Sequence, residues 1–197
     1  MDQFDHPRRR HDPYPDHWSR LGGFSYRDPL VLVRLKDAVR LRTGEDADFI
    51  TGAPFGVLIE VDRHVRKLIV PPGLITDLTS VPVIARWTVG RVGPWLEAAI
   101  VHDYLYIAWQ DQPHPVARDR DRLFADLVML AGMKAARVGL LRRYAIFAAV
   151  RLFGGFGYRR RTRDRYADLS DVDWAFVLPG EALSLPGTLS IPEPPQG

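Results

Sequence analysis

Three features of this 197-residue chain predict an α+β fold. Short β-branched runs crowd its first half, and long runs with helical spacing fill its second. A Pro71-Pro72-Gly73 turn divides the two. The expected architecture is a small N-terminal antiparallel sheet followed by a three-helix unit carrying a His/Asp dyad. With 46% hydrophobic and 26% charged residues, the chain has the composition of one globular domain with a real core.

Residues 1–22 are rich in Pro, Asp, His and Arg and show no periodicity. They read as an N-terminal arm, disordered or docked on a partner, and His6, His11 and His17 belong to that tail rather than to a metal site. Residues 23–170 form a single domain, divided into a sheet (23–71), a loop (72–93) and a helical unit (94–157). Leu30–Leu35, Val57–Val61 and Lys67–Val70 are the clearest of three to five expected strands, each bounded by turn residues. Val70-Pro71-Pro72-Gly73 ends the sheet and opens a loop through Thr76-Asp77-Leu78-Thr79-Ser80-Val81-Pro82.

Gly93-Pro94 starts the first helix, where proline suits the first turn and Glu97 complements the helix dipole. The second helix is expected from about Val116 to Met133, with Phe124, Leu127, Val128 and Ala131 as its apolar stripe. The third is expected from about Val138 to Phe153, stopped by Gly154-Gly155-Phe156-Gly157. A basic segment, Arg159 to Arg163, follows, and residues 171–197 form a Pro-rich tail suited to lying extended on a surface.

A net charge of +3 favours anionic surfaces without specifying one, and no nucleic-acid motif accompanies it. Lys36, Lys67 and Lys134 are the lysines; arginine supplies the remaining positive charge. Cysteine is absent, which excludes disulfides, thiolate metal sites and cysteine nucleophiles. The first residues lack the apolar core of a signal peptide, and no apolar run reaches transmembrane length. The expectation is synthesis in the bacterial cytoplasm without a leader.

The chemistry concentrates in Glu97–Trp109, an apolar helix with His102 and Asp103 set into it. Burying such groups unpartnered costs several kcal/mol, so other groups must hold them. His102 and Tyr106 share one face at i, i+4, while Asp103 points about 100° away. Asp121, at the edge of the second helix's core-facing stripe, is the carboxylate expected opposite His102 and Tyr106. It would fix the imidazole tautomer and leave the other nitrogen as a base. Asp103 then remains for a hard cation. Trp87, Trp95, Tyr104 and Trp109 read as core or groove-lining aromatics. Ser80 lacks the strand–turn–helix setting of an activated nucleophile.

His102-Asp103-x-x-Tyr106, followed by an Asp121-x-x-Phe124 helix, resembles the active-site helices of secretory phospholipases of the A-two type, especially compact prokaryotic ones. The resemblance implies that His102 activates water, that Asp103 binds calcium, and that Tyr106 and Asp121 support the histidine. Asp77 is the loop residue that would add a calcium ligand. The glycine-rich calcium loop and the disulfides of that family are missing. A broader likeness, over about Pro71 to Gly154, is to an uncharacterised family of phages and prophages. It rests on Thr76-Asp77-Leu78-Thr79-Ser80-Val81-Pro82, His102-Asp103-Tyr104-Leu105-Tyr106 and Asp121-Arg122-Leu123-Phe124.

Two functions follow as expectations. The first is a calcium-dependent phospholipase-like esterase in a phage or phage-like particle, acting at an anionic phospholipid surface. The second is a non-catalytic tail or head accessory protein that uses the same residues for packing and docks its arms on other particle subunits.

Overall fold

The structure, a computed structural model, describes residues 12–33, 49–76, 93–161 and 166–167. It is an α+β fold with small antiparallel sheets in the N-terminal half and three helices after them. The strands are β1 (Leu21–Tyr26), β2 (Leu32–Val33), β3 (Phe49–Thr51), β4 (Phe55–Val61), β5 (His64–Val70) and β6 (Ile75–Thr76). The helices are α1 (Leu96–Ile107), extended by a 3-10 turn over Ala108–Asp111, then α2 (Asp119–Ala135) and α3 (Leu140–Arg159).

One three-stranded sheet has the order β1-β4-β5 and the other β2-β3-β6, and all their pairings are antiparallel. The β4–β5 hairpin closes through Asp62 and Arg63, both at positive φ (49° and 69°), the handedness that a two-residue turn between twisted strands requires. Asp62 also accepts hydrogen bonds from Ser19 Oγ (2.7 Å) and the Arg20 amide (2.8 Å), tying the entry of β1 to this turn. Those hydrogen bonds, Ser19's first, hold its carboxyl below the usual range.

After β5 the chain turns at Gly73, whose φ of 79° favours a residue without a Cβ. Thr51 pins this turn: its hydroxyl donates to the Pro71 carbonyl (2.8 Å) and accepts from the Leu74 amide (2.9 Å). The turn delivers β6, and with it Thr76, beside α1.

Val57, Ile59, Val61, Leu68 and Val70 turn inward from β4 and β5 to meet Ile100, Val101 and Leu105 of α1 and Phe124 and Val128 of α2. A second apolar cluster, Trp95, Ala98, Met129, Met133, Val138, Ile146 and Val150, closes the far end of the three helices. Trp95 and Trp109 are core residues as expected, and Tyr104 is buried with them.

Four local expectations differ from the structure. The described part of the arm, residues 12–22, docks on the chain's own core: buried Tyr14 donates to the Leu105 carbonyl, and Trp18 packs edge-on to Phe124 with ring centres 5.7 Å apart. β1 begins inside the segment expected to be arm, because Gly22 and Gly23 mask its strand signal. A Cβ at Gly22 would fall 2.6 Å from the Glu60 carboxyl carbon, so a larger residue there would displace the end of that side chain.

The strand expected over Leu30–Leu35 is described only at Leu32–Val33, residues 34–48 lying outside the described residues. Finally, Gly154-Gly155-Phe156-Gly157 does not stop α3, which continues to Arg159. A Cβ at Gly154 would lie 2.6 Å from the Tyr106 hydroxyl, and one at Gly155 would lie 2.9 Å from an Arg122 nitrogen. These glycines permit close helix packing, and tertiary contacts outweigh their poor helix propensity.

Candidate functional site

α1 and α2 are antiparallel neighbours, and α3 crosses them at the level of Arg151 and Gly154. At this junction lies Asp126, fully buried (0% exposed) in the middle of α2. One of its oxygens meets His102 Nε2 at 2.9 Å and accepts from the Tyr106 hydroxyl at 2.7 Å. The other accepts from Arg151 Nη1 at 2.6 Å and lies 3.9 Å from Arg122 Nε. Arg122 in turn donates to the Val150 and Arg151 carbonyls, so one arginine links α2 to the backbone of α3. A buried carboxylate with two guanidinium groups and two further donors is a satisfied charge rather than a stranded one.

His102 is 5% exposed. An ionised Asp126 only accepts, so the proton between them belongs to His102 Nε2, and Nδ1 is the nitrogen left to act. Nδ1 lies 4.0 Å from Asp103, an ionic distance but too long for a hydrogen bond. Asp103 is anchored from the other side by Thr76, whose hydroxyl donates to it at 2.7 Å.

Burial pulls the His102 pKa down, but the interactions with Asp103 and Asp126 outweigh it and raise the pKa above its ordinary value. Burial likewise opposes ionisation of Asp126, yet the hydrogen bonds from His102, Tyr106 and Arg151 bring its carboxyl below the usual range. Tyr106 is pushed well up by burial and by the Asp126 charge, so it remains a donor at any physiological pH.

Of the residues singled out from sequence, the structure brings together His102, Tyr106 and Asp103. It does not bring Asp121 to them. Asp121 is buried in the first turn of α2, five residues before Asp126 and about 140° away around the helix. It faces Tyr14 and Tyr158 instead, and burial raises its pKa against the pull of Arg118. The stripe chosen from sequence was rotated: Leu127 and Ala131 are only half-buried, while Ala125, Asp126 and Met129 face inward.

A signal for Asp126 was present. It is an acid inside the apolar run Leu123–Leu130, the same anomaly that marked His102 and Asp103. Asp77, like Ser80 and Trp87, lies outside the described residues. Arg159, Arg160 and Arg161, in the basic segment, are exposed.

Calcium takes six to eight oxygen ligands. Here Asp103 offers one carboxylate already engaged by Thr76, and among the described residues no group of three or more His, Cys, Asp or Glu side chains converges on one point. The described residues alone therefore do not make a calcium site.

Residues 57–150 match the model of a family described as a protein of unknown function (DUF1353). That stretch runs from β4 into α3 and contains Thr76, His102, Asp103, Tyr106, Arg122 and Asp126; Arg151 is the next residue after it. The match is to an uncharacterised family and carries no activity. No curated protein matches the chain, and no solved structure does. Among the described residues, no helix is long and apolar enough to cross a membrane.

Proposed function

We propose that the chain carries a histidine-centred hydrolase site in which His102 Nδ1 activates water against an ester, phospholipid being the substrate class that the local resemblance favours. The observation that carries this reading is the orientation of the ring. Asp126 holds Nε2 at 2.9 Å, Tyr106 shares the same carboxylate oxygen, and Nδ1 is turned toward the partly exposed Asp103. In this scheme Nδ1 takes a proton from water as the oxygen forms a bond to the ester carbonyl carbon. The imidazolium so formed lies between two carboxylates. It then returns the proton to the departing alkoxide as the carbon–oxygen bond breaks. Asp126 and Tyr106 are positioning residues; Asp121 has no part in the scheme.

Calcium enters no step of this reading. Asp103 with Asp77 is the ligand pair the resemblance implies, and metal dependence is left to the assay. The proposed setting is a phage or phage-like particle, on the broader likeness over about Pro71 to Gly154.

A second reading is a non-catalytic particle component in which the network locks the helices together. The near-complete burial of His102 and the three donors and two guanidinium charges around Asp126 favour it. Fatty-acid release from mixed anionic phospholipid vesicles, with calcium or with chelator, separates the two. Release that disappears in a folded His102→Asn variant supports the hydrolase. No release from a folded, monodisperse wild type selects the packing role.

A further inference from the structure

α3 turns one face to the site and another to solvent. On the inner side Arg151, Gly154 and Gly155 meet Asp126, Tyr106 and Arg122. On the outer side Leu141, Tyr144, Ala145, Ala148, Leu152 and Phe156 follow one another at helical spacing and are all exposed. Leu141, Leu152 and Phe156 are 88%, 75% and 80% exposed, and Phe153 widens the stripe at its C-terminal end. A stripe of this length and continuity is not the scattered surface apolarity normal for a globular protein.

The charges on α3 itself have one sign. No Asp or Glu occurs in Leu140–Arg159, while Arg142 and Arg143 lie near one end of the stripe and Arg159, Arg160 and Arg161 at the other. Part of that charge is engaged locally: Arg142 stacks over Trp95 at 5.2 Å, and Arg159 pairs with exposed Asp119 at 2.6 Å. Arg151 is committed to Asp126.

We infer that α3 is an interfacial docking helix that lays this stripe onto an anionic phospholipid surface, with the arginines at its ends against the headgroups. The biological sense of this docking rests on the phospholipid reading above; its physical basis does not. Charge argues for lipid over a second copy of the chain. Two α3 faces packed together would leave each helix's arginines without an acidic partner on the other helix, whereas an anionic bilayer supplies the opposite charge along its whole plane.

Co-sedimentation of the full chain with ether-linked vesicles tests this, because such lipids carry no ester and binding is read independently of hydrolysis. Wild type is expected to sediment with vesicles containing ether-linked phosphatidylglycerol, and poorly with ether-linked phosphatidylcholine alone. Added salt should weaken the binding. A Leu152→Ser/Phe156→Ser double variant, checked for folding by circular dichroism, should lose at least about tenfold in affinity. Three outcomes overturn the proposal: wild type stays in the supernatant, the variant binds as well as wild type, or wild type is a dimer that the variant dissociates while neither binds vesicles. Failure of fatty-acid release in the ester assay, with binding to ether lipids intact, would overturn the hydrolase alone.

Discussion

The same three helices are held together in opposite ways at one end and at mid-length. At one end Trp95, Met129, Met133, Val138 and Ile146 pack without a polar atom among their side chains except the indole of Trp95. At mid-length, the fully buried Asp126 gathers His102, Tyr106, Arg122 and Arg151 in an ionic junction. An apolar cluster tolerates changes of detail, because dispersion and burial are non-directional. An ionic junction does not, since removing one partner leaves the others charged, oriented and out of water. A molecule needing only a closed bundle has the cheaper solution at its far end. The costlier one lies where a histidine nitrogen faces a partly exposed carboxylate, the arrangement on which the proposed hydrolase rests.

The sharpest break of this contrast is Asp126→Ala. It strands Arg151 and Arg122 and removes the partner of His102, and is expected to cost about 3–5 kcal/mol, read by urea unfolding. It should also abolish any hydrolysis that the chain shows. Met133→Ala, in the apolar cluster, should cost about 2–5 kcal/mol in the same experiment through the cavity it leaves. Residual activity per folded molecule should be unchanged. Equal loss of specific activity in both variants would erase the distinction between the two regions.

Gly154→Ala is the next smaller effect. The added methyl would meet the Tyr106 hydroxyl, at a cost of about 1–3 kcal/mol. In a Tyr106→Phe background the cost should shrink, and a double-mutant cycle measures the coupling. An unchanged cost would place the clash elsewhere.

The pH dependence separates the two regions further. The His102 pKa is raised by folding, so its contribution to stability is complete below the ordinary value of 6.5 and is lost as pH rises through the folded value. The Asp126 pKa is lowered, so its contribution holds above the ordinary 3.8 and is lost as pH falls through the folded value. The stability gap between wild type and Asp126→Ala should therefore be widest between those two values and narrow on either side, while the Met133→Ala gap stays flat. For catalysis the same shift means that hydrolysis should rise with pH through a midpoint above 6.5, as the neutral imidazole appears. The smallest effect is that of Phe156→Ser, on the exposed face of α3: within about 0.5 kcal/mol in stability.

The sequence by itself determined the fold class, the division into sheet and helices, and the centre of interest. Short β-branched runs bounded by turn residues read as strands, period-3.6 runs as helices, and a His-Asp pair in an apolar helix demands partners. These are local facts, and local spacing reports them. Which partners answered was decided by the tertiary structure. Asp121 and Asp126 are both acids on the inward half of α2, and only the rotation and register of α2 against α1 place Asp126, not Asp121, against His102. The run Gly154–Gly157 reads locally as a stop, yet its two leading glycines are filled from outside by Tyr106 and Arg122, which carries α3 on to Arg159. Tyr14 has no periodicity around it to mark it as core; the Leu105 carbonyl that receives its hydroxyl is 91 residues away. Helix rotation, close approach and long-range capping are relations between segments, and no single segment encodes them.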